Sequence, residues 1–539
     1  MKENQVKRDF IWWKHGVIYH IYPRSFYDTN NDGIGDLQGV IEKIPYLKEL
    51  GVDAIWLSPV YPSPFKDSGY DISDYTSIDS SYGDLADFRL LLNKAHASGI
   101  KIIMDLVMNH TSDQHPWFLE SSSSIDNPKR DWYIWGKPKD GQVPNNWKSV
   151  FGKSAWQYEE QTQSYYLHSF FKEQPDLNWR KKAMREQYFK EIEFWLNLGV
   201  DGFRLDVINM IGKDRKLRDN PSLLRFLLTD SHWFNRNRPR SYKIVRKLRK
   251  LVDSYPDKVL IGEVFNPPPG DAKLVASYLG NGKDSLHMAF DFSLFFKRWD
   301  AKKFYKSIAK LQKEIPVKAW PCFVLSNHDL SRGMNRFGKH KYEKAKIAAL
   351  LLLTIRGTPF IYYGEEIGMS NIKLKRNTIV DPLGLKYWPF YKGRDRSRSP
   401  MQWNASKNAG FSYHEPWLPI NDNHAFINVE DQKNEPDSIL NLYKSLISLR
   451  KQYKSLQKGK WQTILKGDDQ LLAYYRSYKK EKLLIVLNFS AKTKNMELPK
   501  GKFELIFSIA PRYSDLNNEN RFFEIIPYSG LIFKKEMNR

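Results

Sequence analysis

The sequence predicts an α/β protein: a (β/α)8 TIM barrel with a subdomain inserted after its third strand and an antiparallel β domain at its C-terminal end. Three observations carry this. Short apolar runs alternate with segments whose apolar residues recur at helical spacing, the pattern of a parallel sheet wrapped by helices. There are eight such runs, the number that closes a barrel. The alternation breaks over residues 109–174, a stretch rich in Trp, Gly, Pro, Ser and Asn that is too long for a plain loop.

In chain order, residues 17–26 have strand composition. Ile41, Ile44, Leu47 and Leu50 then recur at helical spacing, predicting a helix over 37–50. A strand at 54–59, a helix at 88–97 and a strand at 100–107 follow. After the inserted region come a helix at 184–198 and strands at 202–207, 259–264, 286–292, 322–329 and 358–364. A second irregular region spans 372–412, and a helix at 438–453 ends the barrel. Runs at 471–475, 482–489 and 503–507 read as short strands separated by turns. The domains are therefore a (β/α)8 barrel over 1–108 and 175–458, an inserted subdomain over 109–174, and a C-terminal β-sandwich over 459–539.

Composition bounds the partners. With 539 residues the chain is too long for one ordinary core. Lys plus Arg exceed Asp plus Glu by 85 to 61, giving +24, but the excess is spread along the chain. It forms no basic arm and no nucleic-acid motif, so we expect a Lys-rich surface rather than nucleic-acid binding. Cys322 is the single cysteine, so no disulfide framework is expected. Residues 1–4 are charged and polar and read as no secretory leader, and the longest apolar run, 348–355, is too short for a membrane span. These features lead us to expect a cytoplasmic protein, a monomer or homodimer, without a membrane partner.

The chemistry lies at the strand ends. Asp201-Gly202-Phe203-Arg204-Leu205-Asp206-Val207 reads as a buried strand carrying Arg and Asp where a core strand has apolar residues. An Arg and an Asp two apart share a face, where each offsets the other's burial cost. An isolated pair of this kind is most simply structural. Yet strand three ends in Asp105-Leu106-Val107-Met108-Asn109-His110, strand five in Gly262-Glu263-Val264, and strand seven in Ser326-Asn327-His328-Asp329. Active groups of such barrels gather where strands end, and packing alone gives no reason to collect like charges. Clustered carboxylates beside an Arg suit glycoside cleavage: one attacks the anomeric carbon and another protonates the leaving oxygen. Two His and three acids could also bind zinc, but no H-E-x-x-H or comparable spacing is present.

In order and spacing, these four motifs resemble the conserved regions of the α-amylase superfamily, glycoside hydrolase family 13. The resemblance implies Asp206 as nucleophile, Glu263 as general acid/base and Asp329 as the carboxylate that distorts the sugar and stabilises the oxocarbenium-like transition state. It implies that Arg204 holds Asp206 ionised and that His110 and His328 bind glucose hydroxyls. The family retains configuration, so the Asp206 and Glu263 carboxyls should lie about 5–5.5 Å apart. Asp67-Ser68-Gly69-Tyr70-Asp71-Ile72-Ser73-Asp74-Tyr75 is similar to the exo-acting α-glucosidase form of the second-strand loop. There Tyr70 would stack on the terminal glucose and Asp71 bind its far hydroxyls. Gln174-Pro175-Asp176-Leu177-Asn178 resembles the oligo-1,6-glucosidase signature, with Phe170 lining the pocket. Arg394-Asp395-Arg396-Ser397-Arg398-Ser399-Pro400-Met401-Gln402-Trp403 resembles the segment that supplies an Arg to the same glucose, by position Arg398.

The implied activity is an exo-acting retaining α-glucosidase on small α-glucosides, without an organic cofactor. A transglucosidase on the same scaffold and a catalytically silent homologue are the alternatives. Val264 after the acid/base resembles the α-1,6 type, whereas Pro267-Pro268-Pro269 and Arg218-Asp219-Asn220-Pro221 depart from it. The place comparable to the Arg-rich run of sucrose isomerases reads Phe295-Phe296-Lys297-Arg298-Trp299-Asp300. Finally, Asp28-Thr29-Asn30-Asn31-Asp32-Gly33-Ile34-Gly35-Asp36 alternates oxygen ligands as a calcium loop does. The twelfth position, where such loops carry Glu, is Gly39. The resemblance implies structural Ca2+ held by side chains of Asp28, Asn30, Asp32 and Asp36 and the carbonyl of Ile34.

Overall fold

The structure is a computed structural model describing residues 10–221, 233–264, 270–465, 470–510 and 522–536. Residues 1–4 and Pro267 to Pro269, read above from sequence, lie outside these. Eight parallel strands form the barrel: β1 (Ile18–Ile21), β2 (Ala54–Leu57), β3 (Lys101–Val107), β7 (Gly202–Asp206), β8 (Val259–Gly262), β9 (Met288–Asp291), β10 (Cys322–Val324) and β11 (Thr358–Tyr362). They close in the order β1-β11-β10-β9-β8-β7-β3-β2.

Strand alternation divides the barrel's side chains into two sets. Ile18, Trp56, Ile103, Val259, Ile261, Met288, Phe290, Cys322, Val324 and Phe360 form one buried cluster drawn from seven strands. Phe203 and Leu205 of β7 belong to the other, larger cluster with residues of the surrounding helices. The face of β7 left over therefore reads Gly202, Arg204, Asp206. Gly202 is needed there because a Cβ would come within 2.4 Å of both the Val259 carbonyl oxygen and its Cγ1.

The barrel elements match the expected order, with local differences; the first strand, expected over 17–26, ends at Ile21 and is followed by a 3-10 helix at Pro23–Ser25. The helix expected over 37–50 is two helices, Leu37–Glu42 and Ile44–Leu50, because Pro45 has no N–H to continue the first. The seventh strand stops at Val324 rather than running to 329: Asn327 Oδ1 accepts the backbone N–H groups of Asp329 (3.1 Å) and Leu330 (2.9 Å), which turns the chain into a loop.

Residues 109–174 contain the helix Pro116–Ser123 and a three-stranded sheet in the order β4-β6-β5, from β4 (Trp135–Gly136), β5 (Trp156–Glu159) and β6 (Ser164–Leu167). The region is tied at its base where His110 pairs with Asp176. At the C-terminal end, β12 (Lys460–Thr463), β13 (Leu471–Tyr478), β14 (Glu481–Asn488), β16 (Phe503–Ser508) and β18 (Gly530–Lys535) form a five-stranded antiparallel sheet ordered β12-β13-β14-β18-β16. Leu471, Ala473 and Tyr475 of β13 face a core shared with a two-stranded sheet of β15 (Lys494–Glu497) and β17 (Phe522–Ile525). Leu472 and Tyr474 join the barrel's core instead. Arg476 crosses that junction, donating from NH2 to Leu456 (2.8 Å) and Gly459 (3.2 Å) carbonyls and from NH1 to Thr354. Among the described residues, no helix is long and apolar enough to cross a membrane.

Candidate active site

Strand register builds the centre of the site. Asp105 of β3 is the direct partner of Arg204 on β7, Val107 of Asp206, and Leu205 of Gly262, the residue before Glu263. The Arg204 guanidinium is 2% exposed and collects three carboxylates. NH1 donates to Asp105 at 2.8 and 2.9 Å and to Asp206 Oδ1 at 2.8 Å, and NH2 donates to Glu263 Oε2. Burial works against the guanidinium's charge, and Asp105 and Glu263 more than restore it, so its pKa is pushed up. Burial raises the Asp206 carboxyl well above its usual range; Arg204 opposes this, while Glu263 and Asp105 add to it. Burial raises Glu263 too, opposed by Arg204 and reinforced by Asp329 and Asp105. Groups this close titrate as one cluster, and the physical content is that it retains a proton that separate carboxylates would lose.

Asp206, Glu263 and Asp329 line one open-mouthed cavity of about 210 Å³, together with Tyr70, His110 and Phe170. Asp206 and Glu263 share one guanidinium, Asp206 through NH1 and Glu263 through NH2. Tyr70 lies against the ring of His328, centroids 5.4 Å apart and planes within 4°. Its hydroxyl donates to Asp105 Oδ2 (3.0 Å) and lies 2.8 Å from His328 Nε2. His328 Nδ1 has no partner, and burial followed by Arg398 lowers the ring's pKa well below its usual value. A neutral ring protonated on Nε2 satisfies both facts. Burial likewise holds His110 neutral; its Nε2 sits 3.0 Å from Gln174 Nε2 and 3.2 Å from the Tyr70 carbonyl oxygen.

Two of the expected substrate residues are replaced by neighbours. Asp71 is fully buried and turned away from the cavity, accepting the N–H groups of Lys66 (2.8 Å) and Asp67 (2.9 Å); burial pushes its carboxyl up to about 6. Ser68 (φ 56°) and Gly69 (φ 99°) take left-handed conformations that put Asp67 and Tyr70, not Asp71, on the cavity. Arg398 is also fully buried behind the wall, donating to the His328 carbonyl (2.8 Å), Ser68 Oγ (2.9 Å) and Asp329 Oδ1 (3.2 Å). It braces Asp329, while Arg394, four residues earlier, reaches the cavity. Arg394 NH2 meets Asp67 Oδ1 at 2.7 Å, and Asp381 holds it from behind through Nε (3.2 Å), NH2 (3.0 Å) and the backbone N (2.7 Å).

The Gln174-Pro175-Asp176 signature contributes directly, together with Lys213, which the sequence did not single out. Gln174 donates to Asp67 Oδ2 at 3.0 Å. Asp176 accepts from Asn109 (2.9 Å) and the Ser169 N–H (2.9 Å) and pairs with buried Lys213 at 3.0 Å. The Gln-Pro-Asp stretch therefore ties the inserted subdomain to the strand ends. In the Asp28–Asp36 loop the carboxylates are turned to the chain itself. Asp28 accepts the N–H groups of Asn31 and Gly33, both at 2.8 Å, Asp32 that of Ile34 at 2.7 Å, and Asp36 that of Thr29 at 2.9 Å. Among the described residues, no three His, Cys, Asp or Glu side chains gather closely enough to hold a metal by themselves.

The model of the alpha-amylase catalytic domain matches residues 20–459, and that of the alpha-amylase SusG C-terminal domain matches residues 471–532. An oligo-1,6-glucosidase of Parageobacillus thermoglucosidasius is 44% identical over 522 residues, covering 91% of this chain and 92% of the relative. One from Bacillus cereus is 39% identical over 558 residues, covering 97% and 99%. Among solved structures, the alpha-glucosyl transfer enzyme XgtA superposes with TM-score 0.91 at 36% identity, over 98% of this chain and 100% of that one.

The raised Glu263 pKa makes a signed prediction. The resemblance expects Glu263 to be the proton donor, which must be protonated to act, so activity should fall as pH rises through the cluster's raised pKa. The basic limb of kcat/KM should lie above the ordinary carboxylate value of about 4.3. Glu263→Gln should abolish that limb and lower kcat about 10²- to 10⁴-fold. A limb at the ordinary value, or one surviving in Glu263→Gln, would contradict the assignment.

Proposed function

The chain belongs to the alpha-amylase family, and from that premise we propose that it is an exo-acting, retaining α-glucosidase that removes single glucose units from the non-reducing ends of short α-glucosides. The observation that carries the reading is the Arg394–Asp67 ion pair. It lines the same cavity as Asp206, Glu263 and Asp329. A buried charged pair on the cavity wall suits the outer hydroxyls of a terminal glucose, which favours release of single units from a chain end.

Asp206 attacks the anomeric carbon, and Glu263 hands its proton to the leaving oxygen. Water activated by the Glu263 carboxylate then releases glucose with its configuration retained. Asp329, braced by Arg398, faces the positive charge that develops on the ring. Tyr70, stacked on His328, is the platform for the sugar, with His110 and Phe170 completing the wall. The substrates favoured are α-1,6-linked. Val264, buried directly beside Glu263, and the oligo-1,6-glucosidase relatives support this linkage. Cys322 is buried and unpaired, and we read the cytoplasm as the compartment.

We also propose the Asp28–Asp36 loop as a structural calcium site. Its donors are the side chains of Asp28, Asn30, Asp32 and Asp36 and the carbonyl of Ile34. An all-oxygen set suits a hard cation, with the Asn30 and Ile34 oxygens completing what the acids alone do not.

Incubation with isomaltose, maltose, sucrose, trehalose and dextran tests the activity. Isomaltose should yield glucose fastest, and Asp206→Asn should lose at least about 10³-fold in kcat, as expected for a covalent nucleophile. Internal cleavage of dextran without free glucose would contradict the reading. For the loop, chelation should lower the thermal midpoint by a few degrees, reversibly with Ca2+. An ion at 100-fold its Kd adds about 2.7 kcal/mol. A midpoint indifferent to chelator and to added Ca2+ would remove the site.

A further inference from the structure

The three carboxylates that line the cavity are held in different ways. Asp206 is the last residue of β7 and Glu263 directly follows β8, so barrel register sets both. Asp329 lies beyond the end of β10 at Val324, on a loop. Its side chain is also the most exposed of the three, 33% against 10% for each of the others. A loop carboxylate that has to face a reacting carbon needs its backbone fixed from elsewhere.

Arg336 meets that need. It ends the short helix Gly333–Arg336, and its guanidinium reaches back to the loop. Nε donates to the Ser331 carbonyl at 3.1 Å and NH2 to the Leu325 carbonyl, so one planar group holds the chain on both sides of Asp329. NH1 donates to the Phe295 carbonyl at 2.8 Å, and the Phe295 ring centroid lies 4.8 Å from the guanidinium carbon. Phe295 belongs to the turn Ser293–Phe296 that follows β9, and it packs on Phe292 of the cavity wall. Arg336 thus fastens the Asp329 loop to the neighbouring strand end as well.

The charge of Arg336 has no counter-ion among the described residues. Burial pulls its pKa down to about 10, and Glu365 opposes this without pairing with it. Burying a cation without compensation is costly, and here three carbonyls supply it. A rigid fork of donors matches three acceptors at once, which an ammonium on a flexible stem does not. Other contacts brace the same loop: Ser326 Oγ accepts the Gly333 N–H at 3.0 Å, Asn371 Oδ1 that of Arg332 at 2.9 Å, and Asn371 Nδ2 donates to Ser331 Oγ at 2.6 Å. Arg336 differs from them in gripping both flanks of Asp329 and the β9 turn with one group.

We propose that Arg336 is a positioning residue for the reaction, one that sets the place of the Asp329 carboxylate through the backbone of its loop. Arg336 itself is not on the cavity wall. The proposal deepens the α-glucosidase reading and rests on it. In that reading Asp329 faces charge that appears on the sugar only as the bond breaks. Misplacing it therefore costs transition-state stabilisation and spares ground-state binding, which lowers kcat and leaves KM. A displacement of about 1 Å in a reacting group can cost about 10²-fold.

The test measures kcat and KM on 4-nitrophenyl α-glucoside for Arg336→Met and Arg336→Lys, each alone and combined with Asp329→Asn. Thermal midpoints report folding. Arg336→Met should lose at least about tenfold in kcat, with KM within about threefold of the parent. Arg336→Lys keeps the charge and loses the fork; it should lose kcat in the same sense, and it decides the matter if Arg336→Met does not fold. In the Asp329→Asn background either substitution should cost less than about twofold, because the group it positions is gone. Unchanged kcat in a folded variant, a loss confined to KM, or the same fold-loss with and without the Asp329 carboxylate would overturn the proposal. If the parent enzyme releases glucose in that case, the α-glucosidase reading stands; if the parent releases glucose from no α-glucoside, both fall.

Discussion

The Arg204 guanidinium holds three buried carboxylates at one point, and the site depends on that arrangement. A carboxylate moved from water to a protein interior loses several kcal/mol of hydration, and Asp105, Asp206 and Glu263 converge on the same few ångströms. One guanidinium cannot neutralise three negative charges. Burial raises the pKa of all three carboxyls against the opposing pull of Arg204, so the cluster favours holding a proton. The same charge balance suits the proton transfer proposed for Glu263.

Barrel register is what brings these groups together. β3, β7 and β8 are neighbours, so residues separated by about a hundred positions in the chain meet at one height. A slip of one residue would turn Arg204 and Asp206 outward among Phe203 and Leu205's partners. The loops then add specificity to this frame. Asp381 carries Arg394 to Asp67, Arg398 braces Asp329, and Gln174 links Asp67 to the inserted subdomain.

Much of this was legible in the sequence because a charged residue ending an apolar run is a strong signal. The order of the eight strands, the three acids and Arg204 were all readable this way. The pocket's far end was less so. Asp67 and Asp71 lie in one motif and Arg394 and Arg398 in another, and either member of each pair suits a sugar hydroxyl. The choice is made by backbone turns, the left-handed Ser68 and Gly69 above all, and by Asp381, which lies in a segment without periodicity. Helix 37–50 was misread for a simpler reason: its apolar spacing is helical throughout, and Pro45 divides it nonetheless. Lys213 gave no signal, since its partners Asn109, Ser169 and Asp176 come from distant parts of the chain.

The account turns on Asp206 and Glu263 flanking a single glycosidic bond, with Asp206 forming a covalent ester to glucose. The most direct measurement is to trap that ester with 5-fluoro-α-glucosyl fluoride and map it by peptide mass spectrometry. One fluoroglucosyl adduct on the peptide containing Asp206, absent in Asp206→Asn, is the result expected. An adduct on a different residue, or turnover of the reagent with β-configured sugar as the first product, would contradict it.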